Sequence, residues 1–187
     1  MGKINHVKNI LDLFIKKLKD DSICIDATVG NGNDILYLLN DICTKGFVYG
    51  FDIQSEAIEN TKALLKLNNI FDRHLLINES HENMGNYIKE DTIDCILFNL
   101  GYLPKGDKCI TTEYSSTWKA IKEGLLLLRK NGFIALMLYP GHSLGMIEAK
   151  SLESLVKTLD QKKFSVFHIN FINQRNYPPE LIIIQKL

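Results

Sequence analysis

Hydrophobic positions follow two spacings along this chain, and their alternation predicts an α/β fold. Apolar residues recur at helical spacing over residues 4–18, with lysines on the opposite face. The apolar runs at residues 93–98 and 133–138 are continuous instead, which is typical of parallel strands buried on both faces. The pattern predicts strands near 22–26, 46–51, 73–77, 93–98, 132–139, 163–171 and 180–186, and helices near 33–40, 55–67, 82–89, 113–129 and 145–160.

The last two predicted strands are joined without a helix, so they can pair as an antiparallel hairpin. We therefore expect a doubly wound, mostly parallel seven-stranded sheet with a reversed C-terminal strand, in a single domain over residues 1–187. Ligands of such sheets bind beyond the carboxyl ends of the strands. The loops at that edge are where we look for chemistry.

Charge limits the kinds of partner. Basic and acidic residues balance at 22 each, whereas proteins that bind long nucleic acid duplexes normally carry an excess of Lys and Arg. A local basic patch remains open, although each candidate could equally be a solvated surface. The candidates are Lys105 with Lys108, Lys119 with Lys122, and Arg175.

Cysteine usage and hydropathy predict a cytoplasmic protein. The four cysteines lie far apart without a C-x-x-C pair, which predicts no metal site and a reducing compartment. No apolar run reaches the length of a membrane span.

The loop after the first strand carries the strongest signal. Asp26 ends the strand, Gly30 and Gly32 follow, and a helix begins directly after them. A dinucleotide fingerprint needs a third glycine where this chain has Ile35. The segment instead resembles the first motif of class I S-adenosylmethionine-dependent methyltransferases, with Thr28 in place of its first glycine. An ordinary strand-to-helix turn is the alternative. The resemblance assigns cofactor contacts to Asp26, Thr28, Gly30, Asn31, Gly32 and Asn33.

A second carboxylate, Asp52, ends the second predicted strand. There it can accept hydrogen bonds from ribose hydroxyls, with Ile53 and Gln54 beside the adenine. A helix N-cap is the other reading of Asp52, although Ser55 could fill that role. After the third strand, Ser80 and His81 could reach an adenine edge, or His81 could be exposed.

The loop after the fourth strand offers an acceptor site. Asn99 and Tyr102 match the ends of the N/D-P-P-Y motif that amino-methyltransferases carry, with Leu100 and Gly101 replacing the prolines. We expect Asn99, Gly101 and Tyr102 to hold and orient an amine, and Asn99 to lie against the cofactor. A plain turn is the alternative. We expect His142, after the fifth strand, to accept a proton, with a helix-capping or phosphate-binding role left open.

Four ordered segments, residues 26–34, 99–108, 139–142 and 175–179, resemble the rRNA methylase family, which is similar to the 5-(aminomethyl)-2-thiouridine tRNA methyltransferases. The resemblance implies methyl transfer from S-adenosylmethionine, leaving S-adenosylhomocysteine, to the aminomethyl nitrogen of the wobble uridine in a tRNA anticodon stem-loop. The residues assigned to the substrate are Lys105, Asp107, Thr111, Thr112, Tyr139, Arg175 and Asn176.

Other functions stay open from the sequence. An amine methyltransferase acting on rRNA or a small molecule would share these motifs, whereas a nicotinamide-dependent oxidoreductase is disfavoured by Asp34 and Ile35. A non-catalytic binding module is a further alternative. Because no additional RNA-binding segment is apparent, we expect a homodimer to hold the tRNA.

Overall fold

Seven strands form one sheet in the computed structural model, which describes residues 6–100 and 114–187. The strands are β1 (Ile23–Asp26), β2 (Phe47–Phe51), β3 (His74–Ile77), β4 (Ile93–Asn99), β5 (Leu128–Leu138), β6 (Phe164–Ile169) and β7 (Glu180–Lys186). Their spatial order is β3-β2-β1-β4-β5-β7-β6. Strands β1 to β5 pair in parallel, and β7 runs antiparallel to both β5 and β6. The predicted sheet with its reversed C-terminal strand is confirmed.

Helices cover both faces of this sheet. They are α1 (His6–Ile15), α2 (Asn33–Tyr37), α3 (Ser55–Leu67), α4 (Tyr114–Leu127) and α5 (Ser143–Val156). Along β4 the side chains alternate between the faces, as the two-residue period of a strand requires. Cys95 and Leu97 pack with α1, α2 and α3, whereas Ile96 and Phe98 pack with α4 and α5. This two-sided burial explains the continuous apolar run in the sequence.

Two predicted helices have different local geometry. The helix expected over residues 33–40 is α-helical only to Tyr37 and continues as a π-helical turn over Leu38–Ile42. The helix expected over residues 82–89 is a 3₁₀ segment over His81–Asn86. Both segments are short, and their hydrophobic spacing does not distinguish these helix types from an α-helix.

Several predicted boundaries are wrong. Helix α4 ends at Leu127, and β5 already begins at Leu128, where it pairs with Ile93. An irregularity in the β4–β5 pairing and a positive φ of 67° at Asn131 follow. Residues 130–131, which lie between the predicted helix and the predicted strand, therefore belong to the strand. Helix α1 ends at Ile15, α5 covers Ser143–Val156, and β6 ends at Ile169.

The connection between β6 and β7 lies at the ligand-binding edge of the sheet. Leu138 at the end of β5 pairs with Glu180 at the start of β7, and Ile169 at the end of β6 pairs with Leu181. Residues 170–179 therefore emerge at the edge where β1, β2 and β4 end. Within the described residues, no helix is long and apolar enough to cross a bilayer.

Candidate cofactor and acceptor site

The loop between β1 and α2 depends on glycine at position 32. Gly32 has a φ of +78°, a left-handed conformation that side chains rarely adopt. A Cβ atom there would also lie 2.7 Å from the Thr61 hydroxyl oxygen on α3. That hydroxyl donates to the Gly30 carbonyl at 3.3 Å. The loop is thus held close to α3 at the point where α2 begins.

Asp26 is a buried carboxylate with one unused oxygen. Its side chain ends β1 and is 1% exposed. Oδ1 accepts a hydrogen bond from the Thr28 backbone N–H at 3.2 Å, whereas Oδ2 has no partner. Burial, with the nearby Asp34 and Asp52 carboxylates, raises the pKa of Asp26 to about 8. A cationic ligand would compensate this charge, and S-adenosylmethionine, which carries an ammonium and a sulfonium group, fits that requirement.

Asp52 is held by two backbone amides. Its Oδ2 accepts from the Gly30 N–H and its Oδ1 from the Gln54 N–H, both at 2.9 Å. The Asn78 side chain donates to the Asp52 carbonyl at 2.9 Å. Each carboxylate oxygen keeps a lone pair that a ribose hydroxyl could use. The N-cap of α3 is Gln54, so neither Asp52 nor Ser55 fills that position.

His81 is buried, so the solvent-exposed reading of this residue is wrong. The ring is 9% exposed and lies edge-on to Phe98, with centroids 5.5 Å apart. Nδ1 lies 3.0 Å from the Ala27 carbonyl oxygen and must donate to it, while Nε2 has no partner. Burial lowers the pKa of His81, which leaves a neutral ring with Nε2 as an acceptor.

The remaining predicted cofactor residues surround this group. Ser80 caps the 3₁₀ segment, because its hydroxyl accepts from the Glu82 N–H at 3.4 Å. Ile53 is 57% exposed and Gln54 half-buried. Asn31 in the loop and Asn33 at the start of α2 are exposed. The predicted contacts of these residues with the cofactor stay predictions.

Asn99 lies at the centre of a polar network at the end of β4. Its backbone N–H donates to the Thr28 hydroxyl at 2.7 Å, which gives the threonine at the family's glycine position a structural role. Its side-chain Nδ2 donates to Asp34 Oδ2 at 3.2 Å, and its Oδ1 accepts from the Tyr139 hydroxyl at 2.8 Å. Both ends of the Asn99 amide are therefore fixed, with one N–H and one lone pair left for a ligand.

Tyr139 and His142 flank the turn that follows β5. Burial and Asp34 raise the pKa of Tyr139 to about 12, so its hydroxyl keeps its proton and donates to Asn99. The exposed His142 is the N-cap of α5, and its Nδ1 accepts from the Gly145 N–H at 3.1 Å. The capping role left open by the sequence is thus observed. A proton on that nitrogen would break the cap.

The predicted substrate residues divide between described and undescribed regions. Gly101, Tyr102, Lys105, Lys108, Asp107, Thr111 and Thr112 lie outside the described residues. Arg175 and Asn176 line an open groove of about 620 Å³, together with Gly141, Tyr177 and Pro178. Lys119 pairs with Glu82 at 3.4 Å and Lys122 is exposed. The groove thus lies between the turn after β5 and the connection between β6 and β7.

Sequence reasoning missed two functional candidates, Asp34 and Lys8. Asp34 stands in the first turn of α2 and contacts Asn99 through one oxygen and Lys8 Nζ through the other, at 2.9 Å. The only sequence signal was a carboxylate placed where it would repel a pyrophosphate. No group of three or more metal-ligating side chains occurs among residues 6–100 and 114–187.

Comparison with known proteins identifies the family of this chain. The family described as "Putative rRNA methylase" matches residues 48–185. A Clostridium thermocellum structure of the same description is 39% identical, covers 100% of both chains and has a TM-score of 0.92. A Streptococcus mutans methyltransferase structure in complex with SAH is 36% identical over 100% of both chains, with a TM-score of 0.87.

A curated relative extends the comparison to tRNA. The chloroplastic tRNA (mnm(5)s(2)U34)-methyltransferase of Arabidopsis thaliana is 34% identical over 177 residues, which is 90% of this chain and 64% of that protein. This chain thus spans less than two thirds of that relative's length. The family match covers most of the chain, and the two solved structures match it over its full length with TM-scores of 0.92 and 0.87. The chain therefore belongs to the rRNA methylase family and has the fold of the class I S-adenosylmethionine-dependent methyltransferases.

Proposed function

We propose that this protein is an RNA-modifying N-methyltransferase. Its substrate would be 5-aminomethyl-(2-thio)uridine at the wobble position of a tRNA anticodon, and the aminomethyl nitrogen would receive the methyl group. The observation that carries this proposal is the Asn99 amide, held by Asp34 and Tyr139 at the end of β4. The Arabidopsis relative, which is named for the same wobble nucleoside, supports the choice of substrate.

In this proposal the β1 and β2 ends hold the cofactor. S-adenosylmethionine, when bound, supplies an electrophilic methyl group. Asp26 offers its unused buried oxygen to the cationic methionine part, and Asp52 accepts the ribose hydroxyls. Gly30 and Gly32 have left-handed backbone conformations that give the loop its shape beside this group. These carboxylates suit a cationic cofactor, and they would repel the pyrophosphate of a dinucleotide.

Asn99 orients the acceptor nitrogen. Its Oδ1 has one lone pair left after Tyr139 donates to it, so it can accept one hydrogen from an amine. Holding the nitrogen in this way directs its lone pair along the line of attack, which supplies much of the rate gain in a direct transfer. No covalent enzyme intermediate is needed, since the described cysteines, Cys24, Cys43 and Cys95, are all buried in the core.

The anticodon would be held at the groove beside this centre. Arg175 and Asn176 supply a cation and an amide there, and Tyr177 is a 66% exposed aromatic ring. Single-stranded RNA is typically recognised by stacking on exposed rings together with polar contacts to base edges. We further propose a cytoplasmic homodimer, whose two subunits together supply enough surface for the stem-loop.

The test is nucleoside mass spectrometry after incubation with labelled S-adenosylmethionine. The RNA should come from cells that lack this protein, with rRNA and tRNA fractions assayed separately. We expect the label in 5-methylaminomethyl-(2-thio)uridine of tRNA. Label in rRNA alone, in keeping with the family description, would overturn the tRNA assignment and leave an rRNA N-methyltransferase.

A further inference from the structure

We propose that Asp34 recognises the primary ammonium group of the substrate and then stabilises the positive charge that methylation places on the same nitrogen. This inference rests on the proposed function, because it requires an alkyl amine as the acceptor. It makes Asp34 the residue that selects an aminomethyl group over a neutral base amine.

The position of Asp34 fits this role. Its side chain is 25% exposed in the first turn of α2, and its Oδ2 lies 3.2 Å from Asn99 Nδ2. The carboxylate therefore borders the amide proposed to hold the acceptor nitrogen. A substrate nitrogen that is hydrogen-bonded to Asn99 would therefore lie close to the negative charge of Asp34.

A primary ammonium already occupies the other oxygen of Asp34. Lys8 Nζ lies 2.9 Å from Asp34 Oδ1 and comes from α1, a separate element of the fold. An aminomethyl group carries the same –CH₂–NH₃⁺ terminus as a lysine side chain. The Lys8 contact thus displays the geometry with which Asp34 receives a primary ammonium, and the substrate would share or replace it.

The charge balance of the transfer gives Asp34 its second role. The substrate ammonium first loses one proton to solvent, which frees the nitrogen lone pair. The nitrogen then forms the new N–C bond while the methyl C–S bond breaks, and that electron pair leaves with the sulfur. Sulfur becomes neutral and nitrogen becomes cationic, so positive charge moves toward Asp34. A fixed carboxylate near the developing charge lowers the barrier.

Other charged and titratable groups face Asp34 and enter the test. Lys8 lies on α1, Asp26 lies at the end of β1, and Tyr139 follows β5. The charge of Asp52 contributes to the raised pKa of Asp26 and so belongs to the same group of carboxylates. Tyr139 keeps its proton, and the charge of Asp26 is compensated when the cationic cofactor binds. Lys8 and Asp34 are therefore the two residues that the experiment varies.

The experiment measures steady-state kinetics of tRNA methylation against pH for the wild-type protein and three variants. Asp34→Asn keeps the shape of the side chain and removes its charge. Lys8→Met removes the internal ammonium. Asp20→Asn is the matched control, because it also breaks an Asp–Lys ion pair. Asp20 precedes β1 and pairs with Lys45 at the opposite edge of the sheet, away from the site. Affinity for S-adenosylhomocysteine and thermal unfolding are measured for each variant.

We expect Asp34→Asn to raise KM for the tRNA and to lower kcat/KM by roughly 10- to 100-fold, as for loss of a charge-assisted contact. The affinity for S-adenosylhomocysteine should change less than threefold. The apparent pKa in the kcat profile should fall, because a carboxylate favours the charged form of a bound amine. A purely structural role would leave that pKa in place. Lys8→Met should lower KM, and Asp20→Asn should change nothing.

Three results would overturn the inference. An Asp34→Asn enzyme with unchanged KM and pH profile would remove it and leave the proposed function intact. A Lys8→Met enzyme whose KM rises as in Asp34→Asn would show that the pair is a structural unit, and this second variant decides the matter if Asp34→Asn fails to fold. Absence of tRNA methylation by the wild-type protein would overturn the proposed function and the inference together.

Discussion

The two halves of the site are held by different kinds of hydrogen bond. At the cofactor half, Asp26 and Asp52 accept hydrogen bonds from backbone N–H groups of the loops that follow β1 and β2. At the acceptor half, the Asn99 side chain is held by two other side chains, Asp34 and Tyr139. Backbone donors survive any substitution that preserves the loop. The cofactor half therefore depends on loop shape, whereas the acceptor half depends on the identity of individual residues.

Asp34 connects the two halves electrostatically. Its charge contributes to the raised pKa of Asp26 on one side and of Tyr139 on the other. A cation bound at either half therefore changes the protonation balance of its neighbour. The two halves are expected to separate in mutational tests that measure cofactor affinity and turnover independently.

The acceptor half should respond most strongly to Asn99→Ala. We expect turnover to fall roughly 100-fold or more, as for loss of a preorganised polar group in an active site. Cofactor affinity should stay within threefold of wild type. The measurement pairs single-turnover kinetics with calorimetry of S-adenosylhomocysteine, and Asn60→Ala on the exposed face of α3 serves as the control. Near-normal turnover would remove the orienting role of Asn99.

The cofactor half should respond to Asp52→Ala in the opposite manner. Loss of its charge-assisted hydrogen bonds should weaken cofactor binding by about 1.5–3 kcal/mol. Turnover at saturating cofactor should change far less than in Asn99→Ala. Unchanged affinity in calorimetry would contradict the ribose assignment and with it the division of labour between the halves.

The dependence of the cofactor half on loop shape can be tested with Gly32→Ala. A side chain at a φ of +78° and in collision with Thr61 should cost roughly 1–3 kcal/mol of unfolding free energy. Adding Thr61→Ala should recover the part due to the collision and leave the part due to the backbone conformation. Denaturant unfolding of the single and double variants measures both. A neutral Gly32→Ala would show that the loop tolerates other shapes.

The pH dependence of cofactor binding should follow Asp26. Its pKa rises in the folded protein from an ordinary 3.8 to about 8, so between these values the native state holds a proton that the unfolded state has lost. This contribution therefore stabilises the free protein at the acidic end and is lost as the pH rises through 8. A cationic cofactor prefers the ionised carboxylate.

Affinity for S-adenosylmethionine should thus increase about tenfold from pH 7 to pH 9. The gain should be smaller for S-adenosylhomocysteine, which lacks the sulfonium charge. Asp26→Asn is the control that separates Asp26 from titration of the ligand itself. A wild-type pH profile identical to that of Asp26→Asn would contradict the assignment.

The smallest effect is expected for Tyr139→Phe. Removal of one hydrogen bond to Asn99 should reduce turnover by about 2- to 10-fold, which corresponds to roughly 0.5–1.5 kcal/mol. Cofactor affinity should not change. Turnover equal to wild type would show that Asp34 alone orients the amide, and a changed cofactor affinity would show that the two halves are not separable.

Sequence periodicity was sufficient to predict the sheet because each strand and most helices are long enough to display their own spacing. It failed at the start of β5, where Leu128 continues the apolar pattern of α4 yet pairs with Ile93. At the site, Asp26, Gly32 and Asp52 are visible in local motifs. The pairing of Asn99 with Asp34 and Tyr139 spans 65 and 40 positions, and only the folded sheet brings these residues together.

The central claim is that the acceptor is the aminomethyl nitrogen of a wobble uridine. The most direct measurement uses two anticodon stem-loops that differ only in the wobble nucleoside, one with 5-aminomethyl-2-thiouridine and one with unmodified uridine, incubated with labelled S-adenosylmethionine. Mass spectrometry of the digested RNA should find one added methyl group on the aminomethyl nitrogen and none on the unmodified stem-loop. Equal labelling of both stem-loops, or labelling of neither, would contradict the account.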